Sequence, residues 1–182
     1  DLLPLAGTRT ANVLSITYRE SNDLMAGRAF NERLRETYPR LRTAVVESDV
    51  SAEEYGRLSQ QARGMDLIVI SLHITAVSSE GNVAGTPALM DFLRGISRSG
   101  RPNVVVSFGN PYLLSEFPDI QSYLMAWSGA EVSQRAAARA LVGEIGIQGR
   151  TPTRIPPDFD IGAGLQVPIS ASALLGAAGV CE

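Results

Sequence analysis

The 182-residue sequence contains a single cysteine, Cys181, next to its last residue. A lone cysteine can neither form an internal disulfide nor join a cluster of metal ligands. The sequence therefore excludes a disulfide scaffold and a structural zinc site, and we expect neither a metal nor a cofactor. The compartment stays open, because many exported enzymes also lack a cysteine framework.

Lysine is absent, and all 16 basic residues are arginines that stand singly or in pairs along the chain. The formal net charge is -3 and the sequence pI is about 5.3. No window of the sequence concentrates positive charge on one face of a predicted element. We therefore expect no nucleic-acid partner and no attraction to an anionic membrane.

Long apolar runs are also absent. No run approaches the roughly 20 residues that a membrane-spanning helix requires, and no charged segment precedes a signal-peptide core. The sequence begins with Asp1 rather than methionine, from which we expect a processed or excised segment. A length of 182 residues with 45% hydrophobic residues fits a single globular domain.

Apolar, β-branched runs alternate with segments of helical period. Helix starts are marked by Ser51 with Glu54, by Thr86 before Pro87, and by Ser128 with Glu131. The pattern predicts strands at 13–18, 43–47, 67–74, 104–108 and 123–127, and helices at 24–38, 51–63, 87–99 and 129–143. Such alternation predicts an α/β three-layer sandwich, a mostly parallel sheet with helices on both faces.

Ligands of parallel sheets bind at the carboxyl ends of the strands. The predicted loops at that edge cover residues 18–23, 48–51, 75–85 and 109–115, and the third is the longest and carries Glu80. After Gly149, prolines and glycines predict an extended segment. We expect the domain to cover residues 1–164, with residues 165–182 forming a tail or linker.

His73 is the only histidine and ends a predicted strand. It is either a packed structural residue or a contact to a neighbouring site, and both interpretations stay open. No Gly-x-Ser-x-Gly elbow presents a nucleophilic serine, and no glycine-rich turn follows the first strand. The sequence therefore argues against a serine hydrolase, a dinucleotide-binding domain and a P-loop protein.

Three stretches share a pattern with a known family. The opening DLLPL is similar to the LLPL segment that leaves the catalytic barrel of family 3 glycoside hydrolases. RPNVVVSFGNPY, at residues 101–112, resembles the family's buried strand and turn, in the form found in the bacterial β-N-acetylhexosaminidase branch. GRTPTRIP, at residues 149–156, is similar to the close of the family's second domain, with Thr151 where leucine is usual.

The resemblance implies that this chain is the C-terminal domain of such an enzyme and that the nucleophilic aspartate lies on an upstream (β/α)8 barrel. It implies a retaining mechanism on a carbohydrate substrate. In the glucosidase branch the general acid is a glutamate on the loop after the third strand, where Glu80 is the one carboxylate. In the hexosaminidase branch an Asp/His pair on the barrel does that work, and we favour this case.

From the resemblance we expect an accessory domain of a bacterial, exo-acting β-N-acetylglucosaminidase that acts on cell-wall or chitin fragments and is exported to the periplasm or beyond. The fragment itself is expected to be inactive. Candidate substrate contacts are His73, Glu80, Asn110 and Tyr112, although Asn110 before Pro111 also fits a purely structural helix cap. The alternatives are a β-glucosidase with Glu80 as general acid, or a stand-alone ligand- or protein-binding module.

Overall fold

The computed structural model describes residues 2–5, 9–74, 85–116, 119–157 and 159–171. Five strands alternate with four α-helices and one short 3₁₀ helix. In chain order the elements are β1 Val13–Arg19, α1 Arg28–Thr37, β2 Arg42–Glu47, α2 Ala52–Arg63, β3 Leu67–Leu72, α3 Pro87–Arg98, β4 Asn103–Ser107, the 3₁₀ helix Pro111–Glu116, β5 Tyr123–Met125 and α4 Glu131–Leu141. Each predicted strand and helix is confirmed, with small differences at the ends.

The strands form one sheet in the order β2-β1-β3-β4-β5, and all four strand pairs are parallel. Helices α1 and α4 pack together on one face, while α2 and α3 pack on the other. This arrangement follows from right-handed crossovers, because the chain steps one way from β1 to β2 and the other way from β2 to β3 and β4. The α/β sandwich predicted from the sequence is confirmed.

Two helix starts differ from the prediction. Helix α1 begins at Arg28 rather than at residue 24, because Gly27 has φ 72° and Asp23 Oδ1 accepts hydrogen bonds from the amides of Met25 and Ala26. These bonds fold the preceding residues into turns. The predicted capping box at α4 is wrong, since Ser128 Oγ accepts from the Ala130 amide and leaves the helix without a side-chain cap.

Strand β4 lies between β3 and β5, and Val104, Val105 and Val106 are fully buried. Val105 belongs to the core under α2 and α3, whereas Val104 and Val106 belong to the core under α1 and α4. The run is therefore buried on both faces of the sheet, as is typical of an uninterrupted apolar run in a central parallel strand.

The segment after α4 folds back on itself. Ile147 pairs with Val167 and Ile155 with Phe159, each in antiparallel fashion, and the amide of Ser170 donates to the carbonyl of Gly143 at 2.8 Å. The boundary after residue 164 stays a prediction. None of the helices within the described ranges is long and apolar enough to cross a membrane.

Substitutions at Val105 test the interior position of β4. Val105→Ala should lower the free energy of unfolding by about 1 to 2.5 kcal/mol through lost methyl burial, and Val105→Asp should prevent folding because it buries an unpaired charge. Urea denaturation measures both. Val132→Asp is the matched control, since Val132 is 75% exposed; equal effects at the two positions would contradict the assignment.

Candidate functional site

The carboxyl edge of the sheet brings together several of the predicted site residues. His73 directly follows β3, and Asn110 and Tyr112 follow β4. The strand order reverses between β1 and β3, and crevices that hold ligands in such sheets lie at this reversal. Glu80 lies outside the described residues.

His73 is packed rather than displayed. Its ring stacks on Phe108 with centroids 4.5 Å apart and 12° between the planes, and its side chain is 7% exposed. The backbone amide donates to the carbonyl of Tyr18 at 2.9 Å. Within the described ranges, the buried Nε2 atom has no hydrogen-bond partner.

Burial lowers the pKa of His73 to about 4, against a smaller opposing effect from the Asp23 carboxylate. The desolvation of a charged imidazolium causes this shift. The histidine is therefore neutral at pH 7, and its uncharged ring packs against Phe108.

Asn110 caps the 3₁₀ helix, as its position before Pro111 predicts. Its Oδ1 atom accepts from the Tyr112 amide at 2.9 Å, and its backbone carbonyl accepts from the Ser107 hydroxyl at 2.6 Å. The residue is fully buried. These contacts give Asn110 a structural role in shaping the turn after β4.

Tyr112 points outward from the same turn and is 38% exposed. Its hydroxyl lies 3.5 Å from Oγ1 of Thr153, on the segment that follows α4. Of the predicted contacts that the structure describes, Tyr112 is the one whose side chain is exposed at the edge.

Gln134 organises this edge, and the sequence analysis missed it. Its Oε1 atom accepts from the Phe30 amide at 3.3 Å, while Nε2 donates to the carbonyls of Gly129 at 2.8 Å and Met25 at 3.3 Å. The side chain is 3% exposed. A glutamine in an amphipathic helix is normally solvent-facing, so the sequence pattern carried no signal of this role.

Gly129 connects this cluster to His73. A Cβ atom at Gly129 would lie 3.6 Å from His73 Nδ1, so the backbone of the loop before α4 runs beside the imidazole. Gln134, which donates to the Gly129 carbonyl, therefore holds the part of that loop that runs beside the histidine.

Trp127 is a second residue that sequence reasoning missed as a candidate, because the apolar pattern predicts it as the last residue of a strand. It has φ 54°, and the amide of Ser128 donates to the carbonyl of Ala126 at 2.6 Å. This i→i+2 bond around a positive φ makes a γ-turn of the rare, strained kind. The side chain is 42% exposed.

The other side of the edge carries an ion pair. Arg19 and Glu47 are partners in the β1–β2 ladder and meet at 2.8 Å, and Arg19 also donates to the carbonyl of Asp23. They line an open depression together with Val45, Val50, Ser51 and Glu54. Because ladder partners of opposite charge stabilise a sheet, this pair has a sufficient structural explanation.

Within the described residues, the edge offers packing surfaces and hydrogen-bonding groups. The carboxylates of Asp23 and Glu47 are engaged by neighbouring groups of the domain. Among the residues with described positions, no three His, Cys, Asp or Glu side chains gather as a metal site. The expectation that the chain needs no cofactor stays a prediction.

Comparison with known families places this chain. Residues 1–172 match the model of the glycosyl hydrolase family 3 C-terminal domain. The chain belongs to this family. The match spans the LLPL opening, the strand and turn ending in Tyr112, and the proline-rich close, which are the three stretches on which the resemblance rested.

Solved structures agree with the fold of this family 3 domain. A fungal multi-domain β-N-acetylglucosaminidase with a GCN5-related glucosamine N-acetyltransferase region superposes with a TM-score of 0.74 at 21% identity, over 90% of this chain and 18% of that one. The Listeria innocua β-glucosidase in complex with gluconolactone superposes with a TM-score of 0.67 at 20% identity, over 82% of this chain and 23% of that one. The β-N-acetylglucosaminidase from Paenibacillus sp. str. FPU-7 superposes with a TM-score of 0.65 at 16% identity, over 79% of this chain and 27% of that one.

At these identities the likeness establishes the fold alone. The family 3 domain spans between 18% and 27% of the length of these three proteins. No curated protein matches the chain.

The buried His73 predicts a dependence of stability on pH. The folded chain holds its pKa near 4, against an ordinary value of 6.5, so between these values the unfolded chain binds more protons. The free energy of unfolding should therefore fall as the pH drops from 6.5 to 4, by at most about 3 kcal/mol from this group.

Urea unfolding across this pH range measures the effect. The variant His73→Phe retains an aromatic ring against Phe108 but cannot titrate. Comparison with it therefore separates the contribution of His73 to the pH dependence from that of the acidic residues. The variant should lose stability less steeply with acid; identical slopes would contradict a buried neutral histidine.

Proposed function

We propose that this chain is the accessory C-terminal domain of an exo-acting, retaining β-N-acetylglucosaminidase whose catalytic barrel lies upstream. Membership of the family 3 C-terminal domain over residues 1–172 is the observation that carries the proposal. Two carboxylates at the carboxyl edge, those of Asp23 and Glu47, serve the domain's own turn and ladder, which supports an accessory rather than a catalytic role.

The carboxyl edge is the face we assign to the barrel. It carries the half-exposed rings of Tyr112 and Trp127, and the exposed apolar side chains of Leu24, Met25 and Val132 lie near the same edge, on the loop after β1 and on the first turn of α4. Exposed apolar groups that cluster on one face indicate a contact surface. In the parent enzyme this face would border the sugar site, with His73, Asn110 and Tyr112 shaping it.

The choice of N-acetylglucosamine over glucose is the finer part of the proposal. It rests on the turn Asn110-Pro111-Tyr112, which resembles the hexosaminidase branch and which the structure forms as a capped 3₁₀ helix. In that branch the acid lies on the barrel, so the second domain borders the site. The alternative is a glucosidase in which Glu80 supplies the proton.

An activity assay on the parent chain tests the proposal. The purified 182-residue chain should hydrolyse neither nitrophenyl N-acetylglucosaminide nor nitrophenyl glucoside, because a retaining enzyme needs a nucleophile as well as an acid around one bond, and the nucleophile is expected on the barrel. The full-length parent should hydrolyse the N-acetylglucosaminide preferentially. A preference for the glucoside supports the alternative, and an inactive parent contradicts a glycosidase role altogether.

Glu80→Gln in the parent separates the two branches. In the proposed enzyme the change should alter kcat or KM by a modest factor, since Glu80 would at most border the site. A loss of roughly a thousandfold in kcat, a size expected for a general acid, would assign that role to Glu80. Glu53→Gln, on the exposed face of α2, is the matched control and should change neither constant.

A further inference from the structure

Trp127 stands apart from the other residues with positive φ. Within the described ranges, six glycines and Trp127 have a positive φ. Glycine adopts this conformation without steric cost, whereas a large side chain does not. At this one turn the chain therefore carries a bulky ring in a conformation that favours glycine.

Neighbouring contacts hold the strained turn in place. The amide of Ala126 donates to the carbonyl of Ser107 at 2.9 Å, which anchors the turn to β4. On the other side, Ser128 Oγ accepts from the Ala130 amide and Gln134 Nε2 donates to the carbonyl of Gly129. Strained residues persist where the surroundings fix them from both sides, and such positions are typical of ligand-binding sites.

The turn displays the indole instead of burying it. Phe30 and Phe108 pack against each other in the core under α1 and α4 and are 0% and 2% exposed. Trp127, in contrast, is 42% exposed. Core packing therefore does not explain the choice of tryptophan at a strained position. An exposed indole offers a flat apolar face and a rim N–H that donates a hydrogen bond.

We propose that the indole of Trp127 is a stacking platform for a pyranose ring. The C–H face of a sugar would lie against the indole, with the indole N–H available to one of its hydroxyl groups. The inference rests on the proposed carbohydrate function and adds a sugar-binding residue to it.

The sequence provides its own probe, because Trp127 is the only tryptophan. The fluorescence of the 182-residue chain should change saturably on titration with N,N′-diacetylchitobiose or cellobiose, with a dissociation constant on the order of 1 to 10 mM. Glycerol at the same concentrations is the control for solvent effects and should give no saturable change.

Two variants test whether the indole ring of Trp127 or the backbone of its turn binds the sugar. Chemical-shift changes of the Ser128 and Gly129 amides report binding without tryptophan fluorescence. Trp127→Phe should keep sugar-induced shifts, with binding weakened a few-fold, while Trp127→Gly should lose them. Because glycine relieves the strain, Trp127→Gly should also have a higher urea midpoint than Trp127→Ala.

The absence of a saturable fluorescence change with both disaccharides at about 50 mM, well above the expected constant, would overturn the proposal. So would equal shifts in wild type and Trp127→Gly. An indole that responds only to the rest of the parent chain, and not to sugar, would make Trp127 a domain contact instead. These results concern binding by this chain, so they stand apart from the parent's activity assay.

Discussion

The side-chain amide of Gln134 joins three separate segments at the carboxyl edge of the sheet. From helix α4 it accepts from the Phe30 amide in α1 and donates to the carbonyls of Met25 and Gly129. A buried amide with partners on both of its polar atoms stabilises one arrangement of these segments, because any other leaves polar groups without hydrogen bonds. The positions of the loop after β1 and the loop before α4 depend on it.

The properties of the edge follow from this constraint. With Gly129 fixed, the loop before α4 stays beside His73, whose burial keeps the imidazole neutral. The same anchor holds one side of the strained turn at Trp127, and the bond from Ala126 to Ser107 holds the other. Around Gln134, the described part of the edge thus consists of neutral rings and hydrogen-bonded turns, which suits a domain that completes a neighbouring site.

Local sequence signals were sufficient to predict the fold. Valine runs marked β4, and Ser51 and Thr86 marked the starts of α2 and α3, because these signals act within a few residues of the chain. The start of α1 and the cap of α4 were wrong, because Asp23 and Ser128 bond to nearby amides in ways that compete with helix capping.

The site was harder to predict than the fold. Its organising contacts join distant residues, such as Gln134 with Phe30 and His73 with Phe108, and no local pattern records them. We assign the carboxyl edge of the sheet to the contact with the barrel. Hydrogen exchange of the isolated chain and the full-length parent tests it: segments 109–116 and 126–130 should exchange more slowly in the parent, with segment 37–42 unchanged. Protection of segment 37–42 alone would contradict the claim.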